Sequence, residues 1–232
     1  MTVMNAVNIE RFAQNAGVAG TEIVKFNKVM MDLTGSSFDV STNMAKTAVN
    51  MAKSANVSTS KVLSDMASSA GKFAEFSMNG AEGFAKAAVE AAKVGASVES
   101  ILGAADKLLE FESSITAQFK AQVLTGKQIN LERARQLALD GDIAGLTQEI
   151  QSVVGQVGDI QSLNVLQRQS VADAIGISVS DLLKISRGEE VASQETVQDK
   201  LDVSNGFLRE IAGYTSETAA KDNSVEVIQP VF

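Results

Sequence analysis

Proline occurs once in the 232 residues, at Pro230. Inside a helix, proline removes a hydrogen bond and clashes with the preceding turn, a cost of about 3 kcal/mol. Nearly the whole chain therefore lacks the strongest helix breaker, and the expected fold class is all-α. The side chains point the same way: 45% are hydrophobic but only 5% aromatic. Small apolar side chains let helices approach closely, yet each hides little area at about 25 cal/mol per Å². Packed helices or self-association are expected, rather than a thick aromatic core.

Apolar residues recur at helical spacing in several stretches. One face carries Met44, Ala45, Ala48, Val49, Ala52 and Ala55; a second carries Val62, Leu63, Met66, Ala67 and Ala70. A third helix is expected over about 81–94, with Phe84, Ala85, Ala88, Ala91 and Ala92 on one side. A longer one is expected from Val98 to about Leu124, carrying Ile101, Leu102, Leu108, Leu109, Ile115 and Phe119.

The joints between these stretches share a grammar: Ala55-Asn56-Val57-Ser58, Val94-Gly95-Ala96-Ser97 and Ile175-Gly176-Ile177-Ser178. Gly or Asn accepts the left-handed position that ends a helix. An apolar residue then packs back on the last turn, and Ser caps the next helix. Asp181 stands three residues after Ser178, close to a capping box. Positions 57, 96 and 177 are 39 and 81 apart, Gly17-Val18 lies 39 before Val57, and a looser joint is Asp140-Gly141-Asp142. Two readings fit: an imperfect helix-hairpin repeat of about 40 residues, or simply a good helix-to-helix turn used more than once. Together these features predict a multi-helix hairpin array over residues 1–188.

After Gly188 the pattern changes. Val197, Leu201, Ser204, Leu208, Ile211, Thr215 and Thr218 are spaced 4, 3, 4, 3, 4, 3, a half-polar heptad seam. Residues 189–221 are expected to form either a coiled coil with sister chains, giving a small homo-oligomer through Val197, Leu201, Leu208 and Ile211, or an amphipathic helix lying on the body. Residues 222–232 are expected to be an extended tail. Val225 and Val227 alternate with Glu226, and with Ile228, Val231 and Phe232 they are the candidate partner contacts, suited to adding an edge strand to a partner sheet. Residues 189–232 hold 3 basic against 9 acidic side chains, so most of the net charge of −8 sits there.

Composition weighs against most chemistry. There is no Cys and no His, so thiolates, disulfides, the commonest general base and the commonest transition-metal ligand are all missing. Lys127 in Thr125-Gly126-Lys127-Gln128 lacks the first Gly of a phosphate-binding loop and the Ser or Thr after its Lys. Asp140-Gly141-Asp142 lacks the alternating oxygen ligands of a calcium loop, since Ala144 and Leu146 stand in their places, and Asp142 reads as an N-cap. Glu110 and Glu112, two apart on a helix, point to different sides. The expectation is no enzyme, no cofactor and no metal.

No segment is basic, so specific nucleic-acid binding is not expected. Residues 169–187 nevertheless have helix-turn-helix spacing, with Ser180, Asp181, Lys184 and Arg187 on the second helix. A DNA-binding regulator is therefore one alternative, and a secreted helical effector or translocator another. The longest uncharged stretch, Phe12 to Thr21, is ten residues, and a membrane span needs roughly 20. The first ten residues carry no basic segment of the signal-peptide kind.

The strings Phe111-Glu112-Ser113-Ser114-Ile115 and Leu124-Thr125-Gly126-Lys127-Gln128-Ile129-Asn130-Leu131-Glu132-Arg133-Ala134-Arg135-Gln136-Leu137-Ala138-Leu139-Asp140-Gly141-Asp142 resemble a segment of bacteriophage tail tape-measure proteins. Leu163-Asn164-Val165-Leu166-Gln167-Arg168, Ala172-Asp173-Ala174-Ile175-Gly176 and Leu182-Leu183 continue the resemblance, which covers roughly residues 60–187. It implies a structural protein of the virion, made in the host cytoplasm, that occupies the tail tube, sets its length and meets the baseplate hub. Tape measures are usually much longer, so the resemblance is to a fragment or a short relative.

Overall fold

The computed structural model describes residues 3–76 and 80–188. Among them, eleven α-helices and one 3-10 turn account for all regular structure, and no strand is present. The chain is all-α. The seam residues Val197, Leu201, Leu208 and Ile211 and the tail residues Val225, Val227, Ile228, Val231 and Phe232 lie outside the described residues.

The helices run as hairpins. α1 (Val3–Ala16) pairs with α2 (Gly20–Thr34), α3 (Phe38–Ser54) with α4 (Thr59–Phe76), and α5 (Gly80–Lys93) with α6 (Val98–Leu109). A single helix, α7 (Phe111–Thr125), follows. Two further hairpins are α8 (Glu132–Leu139) with α9 (Ile143–Val157), and α10 (Val165–Ile175) with α11 (Val179–Arg187).

All five hairpins turn by one device. Gly17, Asn56, Gly95, Gly141 and Gly176 have φ of 72°, 56°, 72°, 68° and 89°. In each case the next amide reaches back five residues: Val18 to Ala13 O, Val57 to Ala52 O, Ala96 to Ala91 O, Asp142 to Leu137 O and Ile177 to Ala172 O, at 2.9–3.1 Å. This bond satisfies a carbonyl that the helix end leaves open. The apolar residues Val18, Val57, Ala96 and Ile177 are buried, tying each turn to the core. Ser58, Ser97 and Ser178 then accept the amides of Lys61, Ser100 and Asp181. Asp142 plays the same part for Gly145 at 2.9 Å. The N-cap assigned to Asp142 is thus its role, and the calcium-like spacing is a helix start.

The first three hairpins stack at the 39-residue period of their joints. α2 packs on α4, α3 on α5, and α4 on α6, with α2–α3 and α4–α5 contacts closing the stack. Side chains meet across neighbouring joints as well. The Thr59 hydroxyl donates to Ala16 O at 3.1 Å, the Ser60 hydroxyl to Glu22 Oε1 at 3.0 Å, and Lys53 Nζ to Asn15 O. The fourth hairpin joins with α8 on α6 and α9 on α5. Two rows result, α2–α4–α6–α8 and α3–α5–α9, as in stacked helical-hairpin proteins.

The buried apolar residues form one continuous cluster from Ile9 to Ile185. Its centre is α5, whose Ala85, Ala87, Ala88, Ala91 and Ala92 are all buried. Alanine there is what allows α3, α4, α6 and α9 to crowd around one helix. Two phenylalanines, Phe26 and Phe84, are fully buried. The packing stripes read from residues 44–55, 62–70 and 84–92 are the faces that turn inward.

One expected element is divided. The helix expected from Val98 to about Leu124 breaks at Glu110, whose ψ of 72° leaves the helical region. Glu110 O and its carboxylate both accept the Ser113 hydroxyl, at 3.0 Å. No Gly or Pro marks this break. It follows from packing: α6 sinks into the core with Ile101, Leu102, Ala104 and Ala105, whereas α7 leaves to pack on α10.

Candidate functional site

Helix α7 is built inside out. Its buried residues are Ser114 and Ala121, and its larger apolar residues Phe111, Ile115, Phe119 and Val123 face outward. Phe119 is 63% and Val123 81% exposed. Their four-residue spacing lays them in one stripe along the helix. Ile115 and Phe119 were expected on a packed face and are instead exposed. With α7 freed from α6 at Glu110, their side of the helix turns to solvent.

Polar bonds hold α7 to the body on its other side. Half-buried Arg135 of α8 donates through Nε to Ser114 Oγ at 3.0 Å and through its other arm to Gln118 Oε1. Gln118 and Gln122 donate to Ile129 O at 2.7 and 2.6 Å. Gln167 of α10 donates to Leu124 O at 2.8 Å. Burial pushes the Arg135 guanidinium below its usual pKa, partly opposed by Glu132, but a guanidinium remains a cation at any physiological pH. Arg135 thus spans the space between α7 and α8 as a charged strut.

Above the strut lies a groove of about 480 Å³. One wall is Phe111, Ile115 and Phe119; the other is Glu132, Gln136 and Leu139, the last also exposed. Burial of a Val, Ile or Phe side chain is worth about 1.5–3 kcal/mol in full, so filling this half-exposed stripe contributes roughly 1 kcal/mol per residue. Val165 and Leu166 at the start of α10 are exposed as well. A groove with one apolar wall, one largely polar wall and a satisfied cation beneath it suits an amphipathic helix.

Other candidates read from the sequence find structural roles. Gly126, beside Lys127, ends α7 in the left-handed conformation, and its amide bonds Gln122 O. In the helix-turn-helix candidate, Asp181 accepts the Ser100 hydroxyl at 2.9 Å and the Ser178 hydroxyl at 2.8 Å. The first turn of α11 is therefore fastened to α6 at the end that a recognition helix offers to base edges. Among the described residues, no group of three or more acidic side chains stands close enough to hold a metal ion, and no helix is long and apolar enough to cross a membrane.

No family model, curated protein or solved structure matches the chain.

Proposed function

We propose that this protein is a structural component of a bacteriophage tail, akin to a fragment or short relative of a tape-measure protein, working through helix packing. One observation carries the reading. Two of the strings that resemble tape-measure proteins, residues 111–115 and 124–142, supply Phe111, Ile115, Glu132, Gln136 and Leu139 of the groove walls and its Arg135 strut. Along with core positions such as Ile129, Leu131, Ala134, Ala172 and Leu182, the resemblance thus takes in this surface groove. That feature is chemically a dock for a helix, with no nucleophile, cofactor cradle or basic footprint in it.

In this reading the protein resides in the virion, where the tube assembles around it and the baseplate hub meets one end. Residues Val225, Val227, Ile228, Val231 and Phe232 are the proposed contact with a tube or baseplate protein. The acidic balance of residues 189–232 suits a component of a channel through which DNA must pass without being held.

Purified tails from phage that encode the chain provide the test. Mass spectrometry should find it there, and gold-labelled antibody should mark opened tails. Its absence from assembled particles would overturn the proposal. A mobility shift on duplex DNA at low salt separates the regulator alternative, since even non-specific binding is strongest there.

A further inference from the structure

Helix α7 leaves a row of apolar side chains uncovered, and the charges beside that row match a reversed copy of themselves. We infer that α7 is the contact face of a homodimer, in which the stripes of two molecules lie antiparallel about a two-fold axis close to Thr116.

The apolar row supplies the attraction. Phe111, Ile115, Phe119 and Val123 are spaced four apart and all are exposed. Rows of that spacing are the ridges that interdigitate when two helices cross at about 50°, and this one is about 18 Å long at 1.5 Å per residue. A two-fold interface makes every contact twice. Reversal therefore sets Ile115 against Phe119 of the second copy, and Phe111 against Val123 of the second copy, two times each. The α8 wall adds to the same patch. Ile129 O, just before α8, accepts Gln118 and Gln122, whereas Arg135 reaches Ser114 and Gln118, so α8 runs opposite to α7. Leu139, one turn beyond Arg135, lies at the Phe111 end and is exposed. It is placed to cover Val123 of the second copy.

Charge sets the direction. The charged residues from 110 to 127 are Glu110, Glu112, Lys120 and Lys127. The Glu110 carboxylate accepts the Ser113 hydroxyl at the helix break, and Lys127 lies past the end of α7. Glu112, Thr116 and Lys120 are exposed and spaced four apart, a second row beside the apolar one. Its middle, Thr116, is adjacent to the middle of the apolar row, between Ile115 and Phe119, so one axis serves both. Reversal about Thr116 brings Glu112 of each molecule beside Lys120 of the other. Parallel packing brings Glu112 to Glu112 and Lys120 to Lys120, which is destabilising. The charges of the α8 wall, Glu132 and Arg135, lie on the Gln118 side of the apolar row. Gln118 and Lys120 stand about 100° to either side of Phe119, so the α8 charges do not disturb this pairing. Exposed ion pairs add little affinity; here they choose the orientation.

The inference rests on the α7 stripe and not on the tail assignment, so its failure leaves the search of purified tails unaffected. Sedimentation of the full chain should show a monomer–dimer equilibrium. Phe119→Asp should weaken it about a hundredfold with an unchanged helical circular dichroism signal. Lys120→Glu should weaken it about tenfold, and adding Glu112→Lys to that variant should restore the parent's affinity. A parallel pair keeps like charges facing in all three proteins, so equal affinities would overturn the antiparallel dimer. The chain has no cysteine, so Thr116→Cys carries one thiol per molecule. A short bis-maleimide should join two such molecules far faster than two carrying Lys86→Cys, an exposed site on α5. Equal rates, a chain that stays monomeric, or association untouched by Phe119→Asp would each overturn the inference.

Discussion

The Ser100 hydroxyl donates to the Asp181 carboxylate at 2.9 Å across 81 residues of sequence. The same interval separates the joint residues Ala96 and Ile177. Ser100 and Asp181 are each the third residue of the helix after a joint, so the bond joins equivalent positions of two hairpins. Ser60 and Glu22, in the first turns of α4 and α2, make a similar link at 3.0 Å. Facing first turns are thus tied by a hydroxyl and a carboxylate in two places along the array.

Asp181→Ala is expected to destabilise the protein by about 1–2 kcal/mol, because the Ser100 and Ser178 hydroxyls both lose an acceptor. Ser100→Ala should cost less, about 0.5–1 kcal/mol. Denaturant titration of the two single variants and the double variant should return a coupling of about 0.5–1.5 kcal/mol. Strict additivity would mean that the bond contributes nothing.

Gly176 and Gly126 both have positive φ, 89° and 67°, but differ in surroundings. A Cβ on Gly176 would stand 2.9 Å from Lys107 Cβ and 3.1 Å from Ala104 Cα, whereas one on Gly126 would meet nothing within 4 Å. Gly126→Ala should therefore cost about 1–2 kcal/mol, from the left-handed backbone alone. Gly176→Ala should cost clearly more, since α6 and α10 must also separate. Thermal melts of the two variants make the comparison, and equal losses would contradict the close approach.

Arg135→Met keeps much of the strut's length but removes its bonds to Ser114 and Gln118. The expected loss is about 1–3 kcal/mol, concentrated where α7 meets α8. Hydrogen exchange should quicken in residues 111–125 more than in α5. Arg135→Lys should recover only part of the loss, because one ammonium does not present the forked donors of a guanidinium.

Ala88→Leu tests the crowding around α5. Ala88 is fully buried, and overpacking a close-packed core costs about 1–3 kcal/mol. Lys86→Ala, two residues away and exposed, should stay within about 0.5 kcal/mol of the parent. Denaturant midpoints measured side by side decide between a tight core and one with room to spare.

What was legible in the sequence was local chemistry. Asn56, Gly95 and Gly176 announce a left-handed residue, Val57, Ala96 and Ile177 an anchor, and the following Ser a cap, all within four positions. The 39-residue spacing of the first three joints left open a repeat or a turn used more than once, and the stacking of these hairpins is seen only in the structure. The break at Glu110 was not legible, because nothing in Leu109-Glu110-Phe111 disfavours a helix; the divergence of α6 and α7 is decided by what each packs against. The α7 stripe was misread for a related reason. Ile115 and Phe119 have the spacing of a packed face, and spacing cannot tell which side of a helix meets the body. Ser114, Gln118 and Gln122 make the inner face polar through partners, Arg135 and Ile129 O, that are distant in the chain or approach it through a loop.

Because every hairpin is closed by its own turn and leans mainly on its immediate neighbours, cooperativity in this protein is short-ranged. Disorder entering at one end has to be passed along hairpin by hairpin, as in a linear array. α1 packs chiefly on α2, while α5 is surrounded by α3, α4, α6 and α9. The first helix can therefore detach and reattach while the centre stays shut, which would let this end of the molecule yield to a pulling force long before the rest does.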